Sequence, residues 1–220
     1  MNLRILLHSA GFAILASALA GCATNKPYDY TNYREHPPRS ILVLPPLNNS
    51  TDVKGTYGYL STVTHPIAER GYYVFPVAIV DQFLKENGMP TPGEMHQVPL
   101  NKVAEIIGAD PVMYITLEQY GSKYQVLNSA TTVRARAKLV DTKTGILLWQ
   151  GEGEAQQNSG GSGNIIGDLV AAALTQAINS SRDEAHDTCR LANVELFCTK
   201  DQGLLYGPYS PKYGTDANPK

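Results

Sequence analysis

The chain has 220 residues, of which 43% are hydrophobic, and 18 Lys and Arg stand against 20 Asp and Glu. Without residues 1–21 it loses one charged side chain, Arg4, so the remaining 199 residues have a formal net charge of −3. This charge is too small to favour nucleic acid or an anionic membrane surface as a partner. The length suits one folded domain with short appendages.

The N-terminus has the composition of a secretory signal, because Arg4 precedes an apolar stretch over residues 5–19. That stretch is shorter than the ~20 apolar residues that a membrane-spanning helix requires. It ends in Leu19-Ala20-Gly21-Cys22, which matches a lipobox. We therefore predict a signal peptide over residues 1–21 and lipidation of Cys22. The alternative, an ordinary signal peptide with an incidental Cys22, is less favoured because Gly21 and Leu19 occupy the lipobox positions.

Lipidation would determine where the protein is held. Each buried CH₂ contributes ~0.8 kcal/mol, so one acyl chain binds marginally, whereas two or three chains of the palmitate type anchor permanently. Ala23 follows Cys22, at the position where lipoproteins retained in the inner membrane of Gram-negative bacteria usually carry Asp. By this resemblance we expect an outer-membrane anchor with the domain in the periplasm. If the host were Gram-positive, the expectation of an outer-membrane anchor would not apply.

Residues 22–39 are polar and rich in Tyr and Pro, with no apolar period. They are predicted to form a flexible tether between lipid and domain. Its 17 residues after Cys22 would reach ~60 Å when extended and about 23 Å as a flexible coil. The folded part is therefore expected to work at some distance from the bilayer.

The segment 40–199 is predicted to be a single α/β domain with a mixed, three-layer-like arrangement. An apolar run over residues 41–44, ended by Pro45 and Pro46, is typical of a strand covered on both faces. Pro66 is expected to kink or split the helix that follows this strand. The further expected elements are helix 54–70, strand 72–75, helices 78–86 and 100–107, strand 111–119, and a β-hairpin with strands up to 140 and from 146 to 156.

Apolar and polar residues alternate strictly along the first strand of the hairpin. Its apolar side chains are expected on one face and its charged ones on the other. The apolar set is Val133, Ala135, Ala137 and Leu139, and the basic set is Arg134, Arg136 and Lys138. The basic residues alone would suit a phosphate or nucleic-acid stripe, but Glu152 and Glu154 are expected directly across the ladder, which favours cross-strand ion pairs. Gly151 and Gly153 would leave room for a helix to approach the apolar face.

A glycine-rich segment over residues 158–164 precedes a strongly apolar helix predicted over residues 165–181. A P-loop is disfavoured because no Lys occurs between residues 144 and 199, and a dinucleotide fingerprint would need Gly where Ile166 stands. We therefore expect a flexible loop and no nucleotide. A helix this apolar is either fully buried or shared with a second copy, so we expect a homodimer.

Two cysteines remain after the anchor, Cys189 and Cys198. In an oxidising periplasm they are expected to form a disulfide that closes a small C-terminal loop. Metal binding is the alternative, but only His186 lies nearby as a third ligand. The tail over residues 200–220 has no core-forming period. It is expected to be either disordered or an extended segment laid over a partner or over its own sheet.

No catalytic set is visible in the sequence. None of the histidines lies in H-E-x-x-H, and no serine lies in G-x-S-x-G. We therefore predict no catalytic residues, no metal and no cofactor, although a hydrolase can assemble its site from scattered residues.

Four longer motifs span the predicted domain. They are Ile41-Leu42-Val43-Leu44-Pro45-Pro46-Leu47-Asn48-Asn49-Ser50, Glu69-Arg70-Gly71-Tyr72-Tyr73-Val74, Gly108-Ala109-Asp110-Pro111-Val112-Met113-Tyr114-Ile115 and Leu139-Val140-Asp141-Thr142-Lys143-Thr144-Gly145. With the lipobox and the Pro/Tyr-rich segment, they resemble a family of outer-membrane lipoproteins of Gram-negative bacteria over nearly the whole chain. The order of strand, Leu-Pro-Pro and helix, with the later Val-Asp-x-x-Thr-Gly-x-x-Leu-Trp, also resembles the α/β domain at the front of TolB and in CsgG- and LpoB-type lipoproteins. The resemblance implies an accessory role in an envelope complex, with an auxiliary component of an ABC-type transport system as the named candidate.

Two hypotheses follow. The first is a lipid-anchored accessory or scaffolding protein that binds envelope or transporter proteins. The second is a lipid-anchored hydrolase that acts on peptidoglycan or lipid, which would need a concave pocket where a nucleophile and a histidine or paired carboxylates converge.

Overall fold

The computed structural model describes residues 27–124, 129–158 and 184–216. The predicted signal peptide, Cys22, the glycine-rich segment and the apolar helix over 165–181 lie outside these residues. In the described part, no helix has the length and apolar character needed to cross a bilayer.

The described residues form a mixed sheet with helices on both faces. The strands are β1 (Ser40–Val43), β2 (Leu47–Asn48), β3 (Tyr73–Val74), β4 (Pro111–Tyr124), β5 (Ser129–Asp141) and β6 (Leu147–Asn158). The helices are α1 (Thr31–Glu35), α2 (Gly55–Glu69), α3 (Val77–Glu86), α4 (Pro92–Met95), α5 (Leu100–Ile106) and α6 (Glu184–Cys198).

The strand order is β3-β1-β4-β5-β6, and the short β2 pairs with β4. Strand β1 is parallel to both β3 and β4, whereas β4, β5 and β6 form an antiparallel meander. Parallel neighbours need crossover connections, which α2 provides from β1 to β3 and α3–α5 provide from β3 to β4. The predicted α/β class with a mixed sheet is confirmed.

The sheet has two unequal cores. On one face, α2 and α6 pack on β1, β4, β5 and β6 around Trp149, Tyr59 and Phe197, all fully buried. On the other face, α3, α4 and α5 cover β1 and the start of β4 around Leu42, Val112 and neighbouring side chains. The half of the sheet around β1 therefore has three layers, while the described helices cover only one face of the β5–β6 half.

Helix α2 is continuous through Pro66, so the expected split is wrong. Pro66 lacks the N–H that would bond to the Thr62 carbonyl, which costs one helical hydrogen bond. Pro66 and its neighbour Ile67 are nevertheless buried against the core. Tertiary packing of this apolar stripe outweighs the local preference, as it does for most helices in proteins.

The predicted disulfide between Cys189 and Cys198 is also wrong, because the two sulfurs are not bonded to each other. Both cysteines belong to the single helix α6. Nine steps along a helix separate their Cα atoms by about 13.5 Å, whereas a disulfide needs a separation below about 7 Å. Cys189 is fully buried in the core under α6, where it acts as a small apolar side chain.

The described part of the predicted tether is folded onto the domain. Tyr30 and Tyr33 are buried, with exposed fractions of 4% and 3%, and α1 forms between Thr31 and Glu35. The Tyr33 and Tyr72 hydroxyls are hydrogen-bonded at 2.6 Å. The prediction of a flexible segment therefore fails over residues 28–39, because its tyrosines fill core positions that the sequence could not reveal.

Residues 200–216 of the tail lie along their own domain, one of the two arrangements expected. Backbone hydrogen bonds join the Gly207 N–H to the Arg70 carbonyl at 2.8 Å and the Tyr209 N–H to the Gly71 carbonyl at 3.1 Å. Leu204 is buried in the main core. The tail closes the end of the sheet at which β1, β3 and β4 begin.

Candidate functional site: the open sheet face and the tethered end

One face of the β4–β5–β6 meander carries charged side chains and is not covered by the helices of the described chain. We call it the open sheet face and define it by Glu118, Arg134, Arg136, Lys138, Glu152 and Glu154. It exists because alternate residues of a strand point to opposite faces, and the other set, from Val133 to Leu139, is buried.

The predicted cross-strand ion pairs are confirmed. The register pairs Arg134 with Glu154 and Arg136 with Glu152. The Arg134 Nε lies 2.5 Å from Glu152 Oε1 and 3.3 Å from Glu154 Oε2, and the Arg136 Nε lies 3.1 Å from Glu152 Oε2. The hypothesis of a phosphate or nucleic-acid stripe loses its basis, because carboxylates already neutralise these guanidinium groups.

The structure adds Glu118 to this ladder, a residue that alternation alone did not assign. Glu118 lies at a β-bulge in β4, where the register shifts between Leu117 and Gln119. Its Oε1 lies 3.4 Å from Arg136 Nη1. A bulge re-aims a side chain, and here it places a third carboxylate beside the arginines, so three acidic groups balance three basic ones.

The ladder is exposed, and its electrostatic effects are correspondingly modest. The Arg136 hydrogen bond, assisted by Arg134, lowers the pKa of Glu152, and Glu152 raises the pKa of Arg136. The side chain of Glu152 remains 38% exposed, so water and salt screen these pairs. The ladder therefore fixes side-chain positions on the open sheet face more than it stabilises the fold.

The opposite face of the same strands is packed so closely that Gly151 and Gly153 of β6 leave no room for a side chain. A Cβ on Gly153 would lie 2.4 Å from the Ala192 carbonyl oxygen and 2.6 Å from Leu196 Cβ. A Cβ on Gly151 would lie 2.5 Å from the Trp149 ring. The prediction that these glycines admit a helix is confirmed, and the helix is α6.

The second candidate region is built by the two ends of the described chain. We call it the tethered end and define it as residues 28–39 and 199–216. The Tyr28 N–H donates to the Asp201 carbonyl at 2.9 Å, the Tyr30 hydroxyl to the Gly203 carbonyl at 2.5 Å, and the Tyr72 hydroxyl to the Leu205 carbonyl at 2.7 Å. The only signal of this arrangement in the sequence is the short spacing of tyrosines in both segments.

These tyrosines are structural hydrogen-bond donors. Burial, together with the neighbouring Tyr72 hydroxyl, raises the pKa of Tyr33 well above its ordinary value. Burial likewise raises the pKa of Tyr30 and of Tyr72. All three stay protonated at neutral pH and hold the N-terminal segment to the tail.

A cavity of about 260 Å³ opens at the tethered end. Its walls include Arg70, Lys200, Asp201 and Asp216, so they carry both signs of charge, and Cys198 also lines it. The Arg70 guanidinium lies 4.6 Å from the centroid of the Tyr206 ring. No histidine is among the lining residues, so the cavity does not bring a nucleophile and an imidazole base together.

His96 is a half-buried histidine whose contacts suggest a structural role. It follows α4, its Nε2 lies 2.9 Å from the Pro45 carbonyl oxygen, and its ring meets Tyr114 edge-to-face at 5.3 Å. Burial lowers its pKa, so the ring is neutral and donates to the carbonyl at neutral pH. Among the described residues, no group of three or more His, Cys, Asp or Glu could hold a metal ion.

Known proteins match this chain over the described domain. A family model described as "Putative lipoprotein GNA1162-like" matches residues 28–209, which begin at the first hydrogen-bonded residue of the tethered end. The "Putative lipoprotein NMB1124/NMB1162" of Neisseria meningitidis serogroup B (strain ATCC BAA-335 / MC58) is 42% identical over 195 residues, 87% of this chain and 91% of that protein.

A solved structure supports this match. The crystal structure of lipoprotein GNA1162 from Neisseria meningitidis is 46% identical, covers 64% of this chain and 99% of its own, and superposes with a TM-score of 0.54. The C-terminal domain of LpoB from Escherichia coli is 17% identical, with 66% of this chain and 94% of its own covered and a TM-score of 0.40, too low for a functional argument. On the family match and the Neisseria relatives, the chain belongs to the GNA1162-like lipoprotein family of Gram-negative bacteria.

Proposed function

We propose that this protein is a lipid-anchored accessory or scaffolding protein of an envelope complex. Cys22 holds it in the outer membrane, and its domain binds envelope proteins from the periplasm. An auxiliary component of an ABC-type transport system is the named candidate. The observation that carries the proposal is the lipoprotein-family match, which starts at residue 28, six positions after Cys22.

The open sheet face supports the choice of a protein partner. The described helices leave this face uncovered, and its ion-paired side chains present three acidic and three basic groups in a fixed pattern. A balanced pattern complements another polypeptide better than a uniformly anionic polymer, because charges of both signs then find partners. The open sheet face is accordingly the proposed docking surface.

A hydrolase has no comparable support. The cavity at the tethered end offers Cys198 beside Arg70 and Lys200 and no histidine. The homodimer expected from the apolar segment over 165–181 stays a prediction, since that segment lies outside the described residues.

The test is site-specific photo-crosslinking in the full-length protein in cells. A photo-reactive amino acid at Lys138, on the open sheet face, should capture an envelope or transporter protein that mass spectrometry identifies. Arg190 on α6 is the matched control, because it is exposed and its helix packs on the opposite face of the sheet. The same Lys138 capture should be lost in a Cys22→Ser variant, which cannot be acylated.

Equal capture from Lys138 and Arg190, or capture that persists without the acyl chains, would contradict the proposal. Acylation itself is read independently from the mass of the N-terminal peptide.

A further inference from the structure

The folded chain begins close to the predicted anchor. Residues 23–27 separate Cys22 from Tyr28, and Tyr28 is already hydrogen-bonded to Asp201. The six Cα–Cα steps from Cys22 to Tyr28 can span at most about 20 Å. This is one third of the reach expected for a tether that continued to residue 39.

The tethered end and the end of β4 at Tyr124 lie at opposite ends of the sheet. The tethered end is where β1 and β4 begin, because Asp110 Oδ2 accepts the Arg39 N–H at 3.0 Å there. Strand β4 runs for 14 residues from this end, a length of about 45 Å. The loop around Val53 lies towards the far end, since the Asp52 carboxylate would be 3.3 Å from a Cβ on Gly121.

The surface at the tethered end has the chemistry of a membrane interface. Tyr209 and Tyr213 are 68% and 54% exposed, and the exposed Lys212 lies between them in sequence. Lys212 and Arg70 both approach the Tyr206 ring, at 5.5 Å and 4.6 Å from its centroid. Tyrosine rings prefer the headgroup level of a bilayer, and lysine and arginine bind lipid phosphates there.

We infer that the tethered end lies directly on the headgroups of the bilayer that holds Cys22, with Tyr209, Lys212 and Tyr213 in contact with them. This inference rests on the proposed acylation of Cys22. In this orientation, the end of the sheet at which β4 finishes projects away from the membrane. The open sheet face then stands roughly perpendicular to the bilayer, where a periplasmic protein can reach it.

The test uses the full-length acylated protein in vesicles of phosphatidylethanolamine and phosphatidylglycerol. One fluorophore is attached through Pro211→Cys at the tethered end, and a matched one through Val53→Cys at the far end, both in a Cys198→Ser background. Both positions are exposed, and the remaining Cys189 is fully buried. A spin-labelled phospholipid headgroup then quenches whichever fluorophore lies near the bilayer.

We expect at least threefold stronger quenching at 211 than at 53. Replacing Tyr209, Lys212 and Tyr213 together by Ser should at least halve that difference, with thermal melting unchanged because all three side chains are exposed. Equal quenching at the two positions would overturn the inference, as would a difference that the triple replacement leaves intact, since the tether alone would then set the orientation.

The mass of the N-terminal peptide separates this inference from the proposed function. A chain that lacks acyl groups on Cys22 would overturn both. An acylated, vesicle-bound chain with equal quenching would overturn the orientation alone.

Discussion

The two faces of β5 and β6 are formed by alternate residues of the same strands, yet different forces act on them. On the packed face, Trp149 is fully buried and its ring lies 5.8 Å from that of Phe197, between centroids. On the open sheet face, Arg134 and Glu152 are paired but about 40% exposed. The packed face determines whether the domain forms, and the open sheet face can vary with little loss of stability. A surface of that kind is available for partner recognition.

The largest expected effect comes from Gly153→Val on the packed face. Its new side chain would collide with the backbone of α6 at Ala192, and overpacking of this kind costs about 3 kcal/mol of unfolding free energy. Urea denaturation of the Cys22→Ser protein measures it. Gly93→Ala in α4 is the control, because the nearest atom to its new Cβ is 3.9 Å away. A loss no larger than that of the control would mean that α6 does not press on β6.

A loss of unfolding free energy of intermediate size is expected from Tyr33→Phe, which removes one hydroxyl from the buried network of the tethered end. The Tyr72 hydroxyl loses its 2.6 Å partner but keeps the Leu205 carbonyl, so we expect a loss of about 1 kcal/mol. Limited proteolysis should also cut residues 200–216 faster. Tyr209→Phe, at an exposed position, should change neither measurement; a tail equally resistant in both variants would show that the network does not hold it.

The smallest effect is expected on the open sheet face from Glu152→Gln. The loss should stay below about 1 kcal/mol because exposed ion pairs are screened, and added salt should reduce it. The folded pKa of Glu152 is lowered by Arg136, so its contribution is present above the unfolded pKa and is lost as pH falls through the folded pKa. Wild type should therefore lose more stability than the variant between pH 6 and 3, and parallel losses would contradict the assignment.

Local pattern was enough to predict most of the sheet. The alternation from Val133 to Leu139 gave the two faces of the hairpin and the ion pairs of Arg134 and Arg136. Gly151 and Gly153 on the return strand predicted the close approach of a helix. These features follow from the alternation of side chains between the two faces of a strand, which depends only on residues close in sequence. They can therefore be predicted without the tertiary structure.

Helix α6 was missed for a different reason. Its residues have weak amphipathic patterning, and the pair Cys189 and Cys198 suggested a disulfide loop instead. The helix forms because Leu196 and Phe197 pack on β6, and a helix keeps the two cysteines too far apart to bond. Packing against a distant strand decided between two locally acceptable conformations.

By itself, the sequence predicted the export signal and the lipidation motif and determined the α/β class and the charge pattern of the hairpin, because each depends on neighbours along the chain. Only the tertiary structure decided that the N-terminal segment and the tail belong to the domain. The Tyr30 hydroxyl and the Gly203 carbonyl are 173 residues apart in sequence, and a tyrosine in a Pro-rich segment has no local sign of a partner so remote. That long-range contact joins residues 28–39 to the domain and so shortens the tether that the proposed acylation of Cys22 implies.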